Sequence, residues 1–164
     1  MTAHVSYNYG ENEWYTPVEY INLAREVMGA IDLDPASSAK ANEIVCATIY
    51  YDKQSDGLQQ NWGGRLWLNP PYAKGLICKF IDKLVESNIV EAIVLVNNAT
   101  ETKWFRKLIS ITCAVVFPST RIKFLDQDGN PGAPLQGQCF VYIGKNRYRF
   151  IDVFTRVGWG AIIS

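Results

Sequence analysis

Apolar positions recur along this chain with two different spacings, and turn residues mark where one spacing gives way to the other. Thr16-Pro17-Val18-Glu19 reads as a helix start, with Thr16 as cap, Pro17 in the first turn and Glu19 completing a capping box. Tyr20, Ile21, Ala24, Val27 and Met28 follow at helical spacing until Gly29 ends the run. Residues 31–34 form a short strand stopped by Pro35, 37–42 supply one or two helical turns, and 44–51 contain a strand. A polar loop over 52–64 precedes the strand 65–68, which runs straight into Asn69-Pro70-Pro71-Tyr72. Residues 75–87 are amphipathic, with Ile77, Phe80, Ile81, Leu84 and Val85 on one face. The run at 91–96 suits a strand buried on both sides. A helix over 102–109 and a buried strand over 113–117 follow. Turn residues crowd 126–132, so 122–125 and 138–143 read as the arms of a hairpin with a long loop over 126–137, and 148–155 as an edge strand. The sum is an α/β chain: a mostly parallel sheet with an antiparallel C-terminal hairpin, in a single domain over 1–164 with a lead-in over 1–13.

Composition narrows the classes. Of the 164 residues 48% are hydrophobic and 20% charged, the balance of a globular protein rather than a disordered or membrane one. No run approaches the roughly 18 apolar residues of a membrane span, and the N-terminus has neither a basic start nor an apolar stretch, so no secretory signal is expected. Cys46, Cys78, Cys113 and Cys139 show no paired spacing, and His4 is the only histidine. Neither a metal site nor disulfides are expected, which suits a reducing, intracellular compartment. The net charge of zero hides an asymmetry. Residues 1–60 hold nine acidic and three basic side chains; 61–164 hold seven acidic and thirteen basic. An acidic first third suits a cationic ligand, and a basic remainder suits a polyanion.

The sharpest chemical signal is the Asn69-Pro70-Pro71-Tyr72 corner at a strand end, where ligands gather in open α/β sheets. An aryl amine is a poor nucleophile because its lone pair is delocalised. Two acceptors, the Asn69 amide oxygen and the Pro70 carbonyl, could hold both N–H groups and aim the lone pair at a methyl carbon. The prolines stiffen the corner and offer no donors there, and the Tyr72 ring can stack on a base. Positioning and electrostatics would carry the acceleration. The tetrapeptide alone does not choose between adenine, cytosine, guanine or a glutamine amide. Glu13-Trp14-Tyr15-Thr16-Pro17 opens the first helix, whose N–H groups can hold a carboxylate. Asp34, at a strand end, could bind an amino group or a ribose.

With these motifs in order — Glu-Trp-Tyr-Thr-Pro, Ile-Asp-Leu-Asp-Pro-Ala-Ser, Asp-Gly-Leu, Trp-Leu-Asn-Pro-Pro-Tyr, and then Pro-Ser-Thr-Arg-Ile-Lys-Phe — the chain resembles phage-type DNA N6-adenine methyltransferases of the Dam-like family. The resemblance implies a Rossmann-like S-adenosylmethionine-dependent fold, S-adenosylmethionine as methyl donor, double-stranded DNA as substrate, and the cytoplasm of a bacterial host cell. It places Asn69, Pro70, Pro71 and Tyr72 in the catalytic tetrapeptide. It assigns Trp14, Tyr15, Thr16, Pro17, Asp34, Pro35 and Asp56 to the cofactor, Asp56 beside its adenine. Asp-Pro-Ala-Ser-Ser stands where broader methyltransferases carry a glycine-rich turn, and the short stretch before Asn69 implies a reduced strand–helix unit. Reaching N6 in a duplex requires base flipping. With no room for a separate recognition domain, Arg121, Lys123, Arg147 and Arg149 are the candidate DNA contacts, in a monomer or homodimer. The alternatives are an amino-methyltransferase acting on RNA or protein glutamine, and a catalytically silent nucleic-acid-binding module.

Overall fold

A computed structural model describes residues 13–133 and 136–164. The expected lead-in, apart from Glu13, therefore lies outside the described residues, as does His4. The elements are α1 (Val18–Met28), β1 (Leu33–Asp34), α2 (Ala39–Val45), β2 (Ile49–Tyr50), β3 (Arg65–Leu68), α3 (Leu76–Glu86), β4 (Glu91–Asn97), α4 (Lys103–Ile109), β5 (Ala114–Pro118), β6 (Gln138–Ile143), α5 (Arg147–Phe154) and β7 (Gly158–Ile162).

All seven strands join one sheet in the order β2-β1-β3-β4-β6-β5-β7. Neighbours from β2 to β4 run parallel; β6 is antiparallel to both β4 and β5, and β7 is antiparallel to β5. Helices cover both faces. Ile21 and Ala24 of α1 and Phe150, Val153 and Phe154 of α5 pack on Trp67, Ile93, Leu95, Phe140 and Tyr142. On the other face Ile77, Phe80, Ile81 and Leu84 of α3 and Phe105 and Leu108 of α4 pack on Leu66, Leu68, Val94, Val96 and Val141. The period-2 alternation of β4 and β6 feeds both layers at once, which is why these strands read as unbroken apolar runs. Among the described residues, no helix is long and apolar enough to cross a membrane, and no group of His, Cys, Asp or Glu is placed to hold a metal ion. Cys139 is buried and Cys113 half-buried, whereas Cys46 and Cys78 are exposed.

Three sequence expectations need correction. The long-range pairing expected between 122–125 and 138–143 does not form: β6 is flanked on both sides, by β4 and β5. Residues 122–125 instead lie extended against the start of the domain, with Tyr15 and Leu125 exchanging backbone bonds of 2.8 and 2.9 Å. Residues 148–155 are not an edge strand. Their aromatic and β-branched composition suggests β structure, but Phe150, Val153 and Phe154 fall at helical spacing and are fully buried. The C-terminal edge strand is β7 instead, whose glycines hide a strand from propensity reasoning. The strand expected within 44–51 is present as Ile49–Tyr50, after α2 ends at Val45 and closes on Cys46 in a left-handed conformation, φ 52°. Finally, Thr16 does not cap α1. Pro17 occupies the cap position without a side-chain hydrogen bond, and the Thr16 hydroxyl turns inward.

Candidate functional site

The chain leaves β1 through α2 to reach β2 on one side, and leaves β3 through α3 to reach β4 on the other. Strand order thus reverses between β1 and β3, and a crevice opens beyond their carboxyl ends. Tyr15, Thr16, Asp34, Ala41, Ile44, Val45, Trp67 and Asn69 line it.

Each polar side chain is brought there by its backbone. Asp34 is the last residue of β1 and is 3% exposed. Its Oδ1 accepts from Ala36 N at 3.3 Å, and the Ser37 hydroxyl also bonds it. No cation pairs with it among the described residues, and burial pushes its pKa up to about 7 against the pull of those two bonds. Asp32, two residues earlier, is in a different situation. The Arg65 guanidinium grips both its oxygens, at 2.8 and 2.9 Å, and holds its carboxyl below the usual range. Asn69 follows β3 directly, is 3% exposed, and donates from Nδ2 to the Thr16 hydroxyl at 3.4 Å. A buried amide needs an acceptor, which explains why Thr16 serves Asn69 rather than the helix terminus. Pro70 and Pro71 are buried behind it.

Tyr72 is fixed from two directions. Its hydroxyl accepts from Asn97 N at 2.7 Å at the carboxyl end of β4, and its ring meets Trp104 edge-on at 6.0 Å. The Asn97 amide oxygen in turn accepts from the Gln138 side chain. Asp56 lies beyond Pro35. Its backbone is left-handed, φ 48°, and its carboxylate caps the short turn at Gly57–Gln59 by accepting from Leu58 N at 3.1 Å. A Cβ on Gly57 would sit 2.0 Å from the Pro35 carbonyl oxygen, so glycine is what lets this loop close on the Asp34-Pro35 turn.

The crevice is narrow, with room between its walls for about one water molecule. A space of that size against the buried Asp34 carboxylate suits the ammonium group of an amino-acid-bearing cofactor. The donor set fits such a ligand: a buried acid without a cation gains most from one. Tyr15 reaches the crevice with its ring, while its hydroxyl donates to Glu13 at 2.6 Å; burial pushes its pKa up to about 12. Trp14 does not line the crevice. It packs against Gly132, where a Cβ would meet the indole at 2.2 Å, and so holds the 122–132 segment against the start of the domain.

The four basic candidates separate into two groups. In 121–124 exposed and buried residues alternate: Ile122 and Phe124 are pinned in the core, and Arg121 and Lys123 point outward at the crevice end of the sheet. Arg147 and Arg149 are at the other end. The Arg147 guanidinium donates to Ser164 O at 2.8 Å, and Arg149 pairs with Glu26 at 3.0 Å, beside Arg156. The sequence pattern did not single out Asn97, Trp104 or Lys74. Asn97 stands at a strand's carboxyl end, a position the same rule would have flagged. Lys74 is exposed two residues past Tyr72, in a left-handed conformation with φ 51°.

A family model described as DNA N-6-adenine-methyltransferase (Dam) matches residues 6–152. No curated protein matches the chain.

Proposed function

We propose, from the premise that the chain belongs to the DNA N-6-adenine-methyltransferase (Dam) family, that it methylates N6 of adenine in duplex DNA with S-adenosylmethionine on a Rossmann-like fold. The observation that carries this reading is the meeting of Asp34, Thr16 and Asn69 where strand order reverses between β1 and β3. S-adenosylmethionine, when bound, supplies a sulfonium methyl group open to attack by a nitrogen lone pair.

The chain's own residues do the rest. Asp34, ionised, would hold the cofactor's ammonium, and the N–H groups opening α1 behind Thr16 and Pro17 would hold its carboxylate. Pro35 and Asp56 would hold the adenosyl end. Asn69 accepts one N–H of the adenine amine and the Pro70 carbonyl the other, which draws the nitrogen toward tetrahedral geometry and stabilises the positive charge that develops on it. Thr16, by holding Asn69 Nδ2, sets which way the amide oxygen points. Tyr72, braced by Asn97 and Trp104, presents a ring for the base to stack on. Flipping the adenine costs on the order of a few kcal/mol. Arg121 and Lys123, joined by Lys74, recover part of that through phosphate contacts at the same end of the sheet.

Incubation with labelled S-adenosylmethionine and duplex DNA, RNA or total protein tests the reading. Label recovered as N6-methyladenine in the duplex is the expected result. Label confined to RNA or protein would overturn it, and absence of S-adenosylhomocysteine binding by calorimetry would leave a nucleic-acid-binding chain without the reaction. Sequencing of DNA from cells expressing the protein reads the modified base together with its sequence context.

A further inference from the structure

The sheet ends in β2 on one side and β7 on the other, and the neighbour of β7 among the described residues is β5 alone. Natural edges are commonly guarded by charge, proline or a bulge. Residues 157–164 carry no charged side chain and no proline, and the β5 register runs unbroken from Gly158 to Ile162. Trp159 is 65% exposed, and Ile162 and Ile163 are 39% and 43% exposed.

The register also fixes which backbone groups face outward. Ser119 N donates to Val157 O, and Ile163 N donates to Cys113 O. Residues 157, 159, 161 and 163 therefore bond inward to β5, and by the antiparallel alternation Gly158, Gly160 and Ile162 present their N–H and C=O groups to the open side. We propose that this edge pairs with the β7 edge of a second copy, antiparallel about Gly160, and joins two sheets into one. Gly160 then faces Gly160 of the second copy and Gly158 faces its Ile162, so each outward-facing residue meets another and the pair exchanges both ladder bonds. Side chains are self-complementary in the same register. Trp159 stands opposite Ala161 of the second copy on one face, and Ile162 opposite Gly158 on the other, so each large group meets a small one. With no charge on either strand, no like charges are opposed. Any other register about a nearby centre would give up part of this match.

The glycines reinforce the argument. A Cβ on Gly158 would lie 2.0 Å from Phe117 O, and one on Gly160 would lie 2.1 Å from Val115 O. The residues that let β7 lie close on β5 are also those that leave the outer edge bare. A five-residue edge buries less than the roughly 1,200–2,000 Å² of a standard interface, so the pairing is reversible and depends on concentration.

Sedimentation equilibrium of the full chain over a wide concentration range tests this. The mass of the wild-type protein is expected to rise from one chain toward two, while Ala161→Lys, at an exposed position, stays at one chain throughout with an unchanged thermal melt. Ile162→Pro removes an outward N–H that the monomer does not use, and is expected to stay monomeric as well; it decides the matter should Ala161→Lys fail to fold. A wild-type mass of one chain at every concentration, growth beyond two chains, or association of both variants like the wild type would overturn the proposal. None of these outcomes depends on methyl transfer.

Discussion

Asp32 and Asp34 sit two residues apart and have opposite fates, because Arg65 arrives from 33 positions away to clasp the first and no cation among the described residues reaches the second. Asp34 is legible in the sequence as the strand-end acid of the site, but no local pattern shows that Asp32 is held by Arg65. The difference is measurable. Native Asp34 keeps its proton up to about pH 7, whereas the unfolded chain loses it in the usual carboxylate range. Between those limits the unfolded state binds fewer protons, so the stability of the ligand-free protein falls as pH rises across the window. Melting temperature should therefore decline from about pH 4 to pH 7, and Asp34→Asn should flatten that slope. An ammonium against Asp34 selects the ionised form, so affinity for S-adenosylhomocysteine should climb up to about pH 7 and then level. In Asp34→Asn the affinity should be weak and independent of pH, as read by calorimetry. At Asn69 the expectation is the reverse. Asn69→Ala should lower methyl transfer by about a hundredfold or more with the S-adenosylhomocysteine dissociation constant nearly unchanged, because its contacts are to the acceptor amine.

Helix boundaries were mostly legible from spacing, and the failures are instructive. The start of α1 was read from a cap motif, but the hydroxyl that the motif assigns to the helix is claimed by the Asn69 amide, 53 residues away. A buried donor outweighs a solvent-exposed helix terminus that water can satisfy. That exchange predicts how Thr16 behaves. Thr16→Val keeps the shape and removes the acceptor, so kcat should fall by about tenfold or more as the amide loses its orientation, with little change in KM for DNA. Thr16→Ser should retain most of the rate. If Thr16 served only as a cap, stability would drop by about 1 kcal/mol and the rate per folded molecule would not move. The α5 segment fails for a different reason: composition favoured a strand while burial followed a period of three and four. Where the two conflict, the spacing of the buried residues decides.

At the level of the whole molecule, the division of the basic residues matters most. Arg121 and Lys123 share an end of the sheet with Asn69; Arg147 and Arg149 belong to α5 and the ties that bind it to Ser164 and Glu26. Removing Arg121 or Lys123 should reduce the salt dependence of DNA affinity by about one unit of slope each, while Arg149→Ala should leave the slope as it was. Binding isotherms at several salt concentrations provide the check. The sequence revealed the parallel half of the sheet, since β1 and β3 are each followed by a helix that leads to a neighbouring strand. It did not reveal which strands of the antiparallel half pair, because β4 and β6 join residues more than forty positions apart and leave no local trace.

That last pairing bears on how the protein is made. A ribosome that has released only the first 137 residues has delivered β5 without the strand that links it to β4, and its apolar segment Ala114–Val116 must wait, open to water or to a chaperone. Synthesis of six further residues inserts the missing member into the middle of the sheet rather than at its rim. Completion of this domain is therefore a late, abrupt event in translation, and a premature stop within that interval leaves a nascent chain prone to clump.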